Sequence, residues 1–397
     1  MFFGFDNTLK REFPEAEILV FPTFNSLQML AHRLVMPYHD MRIVSLTGRP
    51  WPAFDRALIE RAPKMGVLTD REHTPAAIAR RMLDYGYTDY TMYVGEHLGN
   101  PTKETVSALT LEEAADRDFE MPNCLILDAS QQPTTIPSQT RSQTPSPFPP
   151  RGESGMSLRD SNPFSSQKVP PLPPKGERGG GLGGSREGVW EQGRGRLSFG
   201  LPDSSFTLLD GREKMITKMP IRLLTLQALD LPRRHVLWDI GACTGSVSIE
   251  ARLLFPHLHI EAFEIRPECE AIIRENARRH GAPGIHLRIG DFLESDPCSV
   301  DGGSSAVPPS RLDAVFIGGH GGHLKAIMAK AAHYLRPGGI IVMNSVTSAV
   351  VSRMTDRPSS RQLWDEACAD LGLQQTPPLR IQLNDYNPIE ILKAFKV

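Results

Sequence analysis

Long apolar runs are missing from this sequence, and none is long enough to cross a bilayer. The first residues, Met-Phe-Phe-Gly-Phe-Asp, lack the basic stretch and apolar core of a secretory signal. Cysteine is scarce. The five present (Cys124, Cys243, Cys269, Cys298 and Cys368) are scattered, odd in number and never spaced CxxC, which excludes a disulfide framework. No histidine cluster has zinc-finger spacing, so no metal site is expected. Nor is there an excess of one charge. A net charge of −2 gives no strong field to draw nucleic acid or anionic lipid. These absences lead to the expectation of a cytoplasmic protein with reduced thiols and neither nucleic-acid nor membrane partners.

What is present is an ordinary globular composition, 40% hydrophobic and 23% charged, over 397 residues. That length holds two domains with their own cores. The 33 glycines and 34 prolines are unevenly placed. Residues 130–196 are dominated by Pro, Gly, Ser, Gln and Arg, with few apolar anchors. Such a segment cannot bury enough apolar surface to offset its ordering entropy. It reads as a disordered tether, and its paired pieces Pro147-Phe-Pro-Pro-Arg-Gly-Glu153 and Pro171-Leu-Pro-Pro-Lys-Gly-Glu177 as low-complexity expansion. A polyproline ligand for a partner is the other reading. The tether divides the chain into 1–129 and 197–397.

In the second part, Val236-Leu-Trp-Asp-Ile240 is a short strand, Gly241-Ala-Cys-Thr-Gly245 a turn, and Ser246 to Leu254 a helix. Strand, glycine turn and helix begin a doubly wound α/β unit, whose ligands bind at the carboxyl ends of the strands. Glycines let the backbone turn sharply and a ligand come close. Cys243 stands where the dinucleotide fingerprint needs its second glycine, which disfavours a pyrophosphate. A second strand ends at Glu264, about 20 residues after the turn, where a carboxylate can accept both ribose hydroxyls of an adenosine. A third, Ile285 to Ile289, leads into Gly290-Asp291-Phe292. Asp291 can accept from an adenine amino group while Phe292 packs on the ring; equally, this is a turn aspartate beside a core phenylalanine. A fourth strand, Leu312 to Ile317, runs into Gly318-Gly-His-Gly-Gly-His323, and a fifth is Ile340 to Met343. A helix near Gln362 to Leu371 and two strand-like runs, near Leu379 to Leu383 and Ile389 to Phe395, complete the pattern. The alternation predicts a parallel sheet covered on both faces.

Asp239-Ile-Gly-Ala-Cys-Thr-Gly245, Glu264, Gly290-Asp291 and Leu335-Arg-Pro-Gly-Gly339 together resemble the class I S-adenosylmethionine methyltransferases. More narrowly, Gly200-Leu-Pro-Asp203, Met215-Ile-Thr-Lys218 with Arg222, Trp238-Asp-Ile-Gly241, Ser246-Val-Ser-Ile-Glu250, Ile317-Gly-Gly319 and Asn387-Pro388 resemble the C15-methylating, decarboxylating precorrin-6Y (or cobalt-precorrin) enzymes of corrin synthesis. The resemblance implies a Rossmann-like domain holding S-adenosylmethionine: Gly241, Ala242, Cys243, Thr244 and Gly245 at the methionine end, Glu264 on the ribose, Asp291 and Phe292 at the adenine, and Thr217 also in reach. It implies a tetrapyrrole substrate rich in carboxylates, for which Lys218 and Arg222, with Arg212 and Lys214, are candidate anchors, and a homo-oligomer. His320 and His323 either bind substrate carboxylates, protonate the carbon exposed by decarboxylation, or cap the helix that follows.

In the first part, Arg42 to Gly48, Gly66 to Asp70, Met92 to Glu96 and Leu125 to Leu127 read as short buried strands, with helices from Leu27 and after His73-Thr-Pro75. Ser26-Leu-Gln28, Ser45-Leu-Thr-Gly48, Leu68-Thr-Asp70 with His73-Thr-Pro75, and Val94-Gly-Glu96 resemble the second lobe of the C5-methylating tetrapyrrole methylases. In that family a C5 and a C15 methylase are often fused in this order. The family's initial strand and glycine-rich loop do not precede Phe2-Phe-Gly4 here, and Pro22-Thr-Phe replaces its usual Pro-Gly-Val. The expectation is a partial first domain with little or no C5 methylation of its own. Two other readings of the whole chain stand beside this one: a class I methyltransferase for a different acceptor, and a non-catalytic tetrapyrrole-binding module.

Overall fold

The computed structural model describes residues 5–16, 23–129, 200–210, 215–297, 312–346, 358–383 and 388–397. The tether predicted at 130–196, and Arg212 and Lys214, lie outside the described residues. Two sheets form, and both belong to one compact unit.

The first sheet has strands β1 (Arg42–Ser45), β2 (Lys64–Leu68), β3 (Thr91–Glu96), β4 (Thr105–Leu109) and β5 (Asn123–Asp128), in the order β1-β2-β5-β3-β4. β1 and β2 are parallel and the other pairs antiparallel. Helices α1 (Phe5–Glu12), α2 (Ser26–Arg33), α3 (Pro52–Ile59), α4 (Pro75–Asp84) and α5 (Leu111–Ala115) accompany it. Alternation along a strand sends successive side chains to opposite faces. Leu125 and Leu127 pack with Phe54, Leu58, Ile78 and Met82 of α3 and α4. Cys124 and Ile126 pack on the other face with Leu27 and Leu30 of α2. Capping sets the helix starts: Asn25 and Gln28 form a capping box at α2, and the Thr74 hydroxyl accepts from Ala77 N–H at α4.

The second sheet has β6 (Val236–Ile240), β7 (His259–Glu264), β8 (Ile285–Ile289), β9 (Leu312–Ile317), β10 (Leu335–Val346), β11 (Leu373–Gln375), β12 (Leu379–Ile381) and β13 (Ile389–Lys396). The helices are α6 (Met219–Ala228), α7 (Ser246–Leu254), α8 (Cys269–Arg279), α9 (Leu324–Tyr334) and α10 (Ser360–Asp370). Strand order is β11-β13-β10-β9-β6-β7-β8, with β12 also on β13. From β8 to β10 all pairs are parallel, as the sequence predicts. β13 departs from that expectation: it runs antiparallel to β10, β11 and β12. Its link from β12 is too short for a crossover, and strands joined so closely must run in opposite directions.

Both faces of this sheet are covered. Trp238, Ile240, Val315 and Ile317 pack toward α9 and α10, where Trp364 is fully buried. Leu237, Ala314 and Phe316 pack toward Leu226 of α6 and Val247 of α7. Strand order reverses at β6, since the chain proceeds to β7 and β8 on one side and to β9 and β10 on the other. Such a switch point leaves a crevice at the carboxyl ends of the strands. The Tyr87 hydroxyl, from the segment between α4 and β3, donates to the Gly281 carbonyl at 2.8 Å and ties the first sheet to the second.

Candidate active site

The crevice is built around the turn after β6. Gly241 and Ala242 N–H both donate to the Phe263 carbonyl, at 2.8 and 3.1 Å, and Gly318 N–H donates to the Ile240 carbonyl at 2.8 Å. These bonds hold the ends of β6, β7 and β9 together. Gly241 has φ +79°, and a Cβ there would stand 2.7 Å from Gly319 N. Neither the conformation nor the approach tolerates a side chain. Cys243 is left-handed without being glycine, at φ +52°. Such a conformation costs about 1–2 kcal/mol, and here it aims the Cys243 N–H at Glu264 Oε2, 2.8 Å away. The Cys243 thiol is pushed up to about 12, first by burial and then by Cys269 and Glu264, so it is no nucleophile near neutrality.

Glu264 is 1% exposed. Its Oε1 accepts from the backbone N–H of Arg266 at 3.0 Å and from its guanidinium at 2.9 Å. A carboxylate offers about four acceptor sites, so the Cys243 and Arg266 donors leave little room. A bidentate grip on two hydroxyls requires the Arg266 guanidinium to swing away.

Asp239, in β6, is fully buried. Ser248 Oγ donates to its Oδ2 at 2.6 Å, while Oδ1 has no partner. Burial, opposed by Ser248 and reinforced by the Glu264 charge, raises its carboxyl to about 6. An orphaned carboxylate oxygen at the wall of a cavity invites a cation or a donor.

These groups border one cavity of about 280 Å³. Thr217, Gly241, Ala242, Cys243, Thr244, Glu264, Asp291, Phe292, His320 and His323, all singled out in the sequence, line it. Asp239, Met215, Arg266 and Gly318-Gly319 line it too, and sequence reasoning gave them no role. For Asp239 a signal existed: an acid inside the apolar run Val-Leu-Trp-Asp-Ile is costly unless something needs it.

Three predicted residues stand elsewhere. Gly245 does not border the cavity; at φ +73° it closes the turn, and its Cα packs so near Ile273 that a Cβ would lie 3.0 Å from Cγ2. Lys218 precedes α6, with Nζ 3.9 Å from Asp203. Arg222 is corrected outright as a substrate anchor. Its side chain is 0% exposed, bonded to Glu250 at 3.0 Å, Asp203 at 3.2 Å, the Thr217 carbonyl at 2.8 Å and the Leu201 carbonyl. These bonds fasten the segment before α6 onto α7.

Asp291 and Phe292 combine both readings. Asp291 Oδ1 accepts from Leu293 N–H at 2.8 Å, a turn role. Phe292 is a core residue, 5% exposed and edge-on to Phe263 and Trp238 at 5.0 and 5.9 Å, yet it borders the cavity.

The two histidines also part company. His320 Nδ1 accepts from Gly322 N–H at 3.2 Å, so its proton sits on Nε2, which donates to Ser360 Oγ at 3.1 Å. Burial, and then the charge of His323, hold its pKa below the usual histidine range. It is a neutral fastener of the glycine loop. His323 occupies the cap position of α9, but its side chain makes no capping bond. It is exposed and faces the cavity.

A family profile described as a precorrin methyltransferase domain matches residues 210–361. The cobalt-precorrin-6B C(15)-methyltransferase (decarboxylating) of Salmonella typhimurium is 39% identical over 138 residues, 35% of this chain and 66% of that protein. The probable enzyme of the same name from Pyrobaculum aerophilum is 32% identical over 37% of this chain and 70% of its own. The chain belongs to the precorrin methyltransferase family. A longer relative, the precorrin-6Y C(5,15)-methyltransferase [decarboxylating] of Sinorhizobium sp., matches 89% of this chain and 68% of its own at 26% identity. The chain thus spans about two thirds of the length of the relatives it matches. Its second sheet, with five parallel strands and a reversed strand inserted beside β10, is a doubly wound, Rossmann-like sheet.

Proposed function

We propose that this chain transfers a methyl group from S-adenosylmethionine to C15 of precorrin-6Y or its cobalt form, with loss of the ring C acetate carboxyl as carbon dioxide, in cobalamin synthesis. The observation that carries the reading is the convergence of the Gly241 turn, Glu264 and the orphaned Asp239 oxygen on one cavity. The lining suits the donor. Among the described residues three carboxylates, of Asp239, Glu264 and Asp291, border the cavity, and the one guanidinium there, of Arg266, is already paired with Glu264. Such a wall favours a ligand bearing a sulfonium and an ammonium.

The sulfonium makes the methyl group electrophilic, so the protein's task is orientation and exclusion of water. Gly241 admits the ligand against backbone, Asp239 accepts from its ammonium, Glu264 from its ribose, and Asp291 from its adenine. Thr217 closes the near side. On the acceptor side, His323 supplies the proton to the carbon that loses carbon dioxide, and His320, fixed by Ser360, shapes the loop that presents it. The acceptor ring itself serves as the electron sink. Lys218 is left as a candidate contact for a substrate carboxylate beyond the cavity rim.

The decisive experiment incubates the purified chain with S-adenosylmethionine and precorrin-6Y or its cobalt form. Methylated product with stoichiometric carbon dioxide supports the reading. Cofactor binding with no turnover of either tetrapyrrole transfers the chain to a different acceptor, and absence of cofactor binding defeats both. We further place the enzyme in the cytoplasm as a homo-oligomer; light scattering on the purified protein tests the latter. No helix among the described residues is long and apolar enough to cross a membrane.

A further inference from the structure

A second cavity, of about 350 Å³, opens where β1 and α3 of the first sheet meet the starts of β7 and β8. Strand β7 runs between the two cavities, with His259 bordering this one and Glu264 the other. The polar side chains lining it are Arg42, Arg56, Arg252, His257, His259 and His286, and among the described residues no carboxylate lines it.

The charges around this cleft do not cancel. Arg42 and Arg56 share a single acid, Glu60. Deeper in, Asp55 is fully buried and gripped bidentately by Arg81, both bonds 2.7 Å. That leaves Arg252, 2% exposed, with backbone carbonyls as its acceptors: Pro283 at 2.6 Å, Pro256 at 3.0 Å and Leu258 at 2.9 Å. Its Nη2 has no hydrogen bond. With Glu261, which is paired with His259 and Arg288, five guanidiniums stand against three carboxylates. Gly284, at φ +84°, makes room for this arrangement, since a Cβ there would lie 2.8 Å from Arg252 Nη2. Arg252 feels the charge of Asp55 but makes no hydrogen bond to it, and both Asp55 oxygens already serve Arg81. A buried cation that shares its counter-charge in this way is costly, and the cost falls when an anion joins it. Guanidiniums are suited to oxyanions, which they can bind in forked pairs.

We propose that this cleft binds a compact oxyanion of two or more negative charges, a phosphate ester or a polycarboxylate, at a site separate from that of the methyl donor. The volume sits at the low end of the range of roughly 300–1,000 Å³ for small-ligand pockets, which suits such an anion and excludes a tetrapyrrole. Contacts from both sheets would make the anion a clamp between them.

The test is thermal unfolding of the full chain in inorganic phosphate, citrate, or sodium chloride at matched ionic strength. A saturable rise in Tm with phosphate or citrate, absent with chloride, supports the proposal, and the more potent anion identifies the source. The Arg42→Gln/Arg56→Gln pair should weaken that response about tenfold or more, while affinity for S-adenosylhomocysteine changes by less than about twofold. An equal shift from chloride, or an undiminished response in the double variant, overturns it. Should that variant not fold, arginine modification by phenylglyoxal is mapped on the native protein. Phosphate or citrate should slow labelling of Arg42 and Arg56 but not of exposed Arg274; unchanged labelling overturns the site.

Discussion

Cys243 and Glu264 are joined by a 2.8 Å hydrogen bond, from the backbone N–H of the first to Oε2 of the second. One acid thus shapes the glycine turn and, in the proposed function, also accepts from the ribose once Arg266 has moved aside. Replacing Glu264 by Ala removes charged acceptors worth about 1.5–3 kcal/mol each, which should weaken S-adenosylhomocysteine binding about 10- to 100-fold. Calorimetry reads this directly. A change below about threefold would mean that the carboxylate serves the turn alone.

Gly241 has no latitude. A Gly241→Arg chain should bind no cofactor, because its Cβ would meet Gly319 N at 2.7 Å and its φ of +79° is left-handed. Gly241→Ala should retain residual binding with a lower Tm. Unchanged affinity in the arginine variant refutes the assigned site.

Asp239 should make cofactor affinity depend on pH. Its folded-state carboxyl is raised from 3.8 to about 6. The native state therefore holds a proton that the unfolded chain releases, and this group's contribution to stability falls as pH rises from about 4 to about 6. A cationic ligand prefers the ionised form, so affinity should climb through pH 6 and level off above it. Asp239→Asn should bind more weakly and flatten that climb. Calorimetry between pH 5 and 8 decides; a parallel climb in the variant assigns the titration to another group.

Arg222 should behave as a fastener. Arg222→Met strands Glu250, itself 1% exposed, at a cost of about 3–5 kcal/mol. A large fall in Tm is expected, with no selective rise in KM for the tetrapyrrole. A stable variant with a raised substrate KM would restore the anchor reading.

His323→Gln should depress carbon dioxide release by about 10²- to 10⁴-fold, the usual worth of a positioned acid, and leave cofactor affinity alone. Ser360→Ala, which frees His320 Nε2, should loosen the loop with a smaller loss. If His323→Gln releases carbon dioxide at the native rate, the proton comes from elsewhere.

Much of the second sheet was legible because its strands are short runs with apolar residues, three of them (β6, β8 and β9) closed by glycine. β6, β7, β8 and β9 fall where Val236-Leu-Trp-Asp-Ile240 and its counterparts predict them. The direction of β13 was hidden, because an apolar run reads the same either way; hairpin length alone reveals it. β4 and α3 escaped notice: Thr105–Leu109 is a five-residue, partly exposed edge strand bounded by no glycine or proline, and α3 is a single pair of turns begun by Pro52. In the site, Gly241 and Glu264 could be read from local sequence. Arg222 could not be, since a basic residue near a cleft looks the same whether it reaches ligand or, as here, a buried acid from the next helix. Nor could the contact of Gly318-Gly319 with Gly241, which depends on two strands far apart in the chain lying side by side.

That contact has a bearing on assembly. The Gly241 and Gly319 loops meet only after β9 has docked against β6, so no isolated stretch of polypeptide can form the donor pocket. Non-local pairings of this kind come late in folding. Ligand affinity should then switch on in one cooperative step, and a ligand that binds only the finished pocket will raise apparent stability with concentration. A tight donor analogue would thereby serve as a titrant, counting the folded molecules in any preparation.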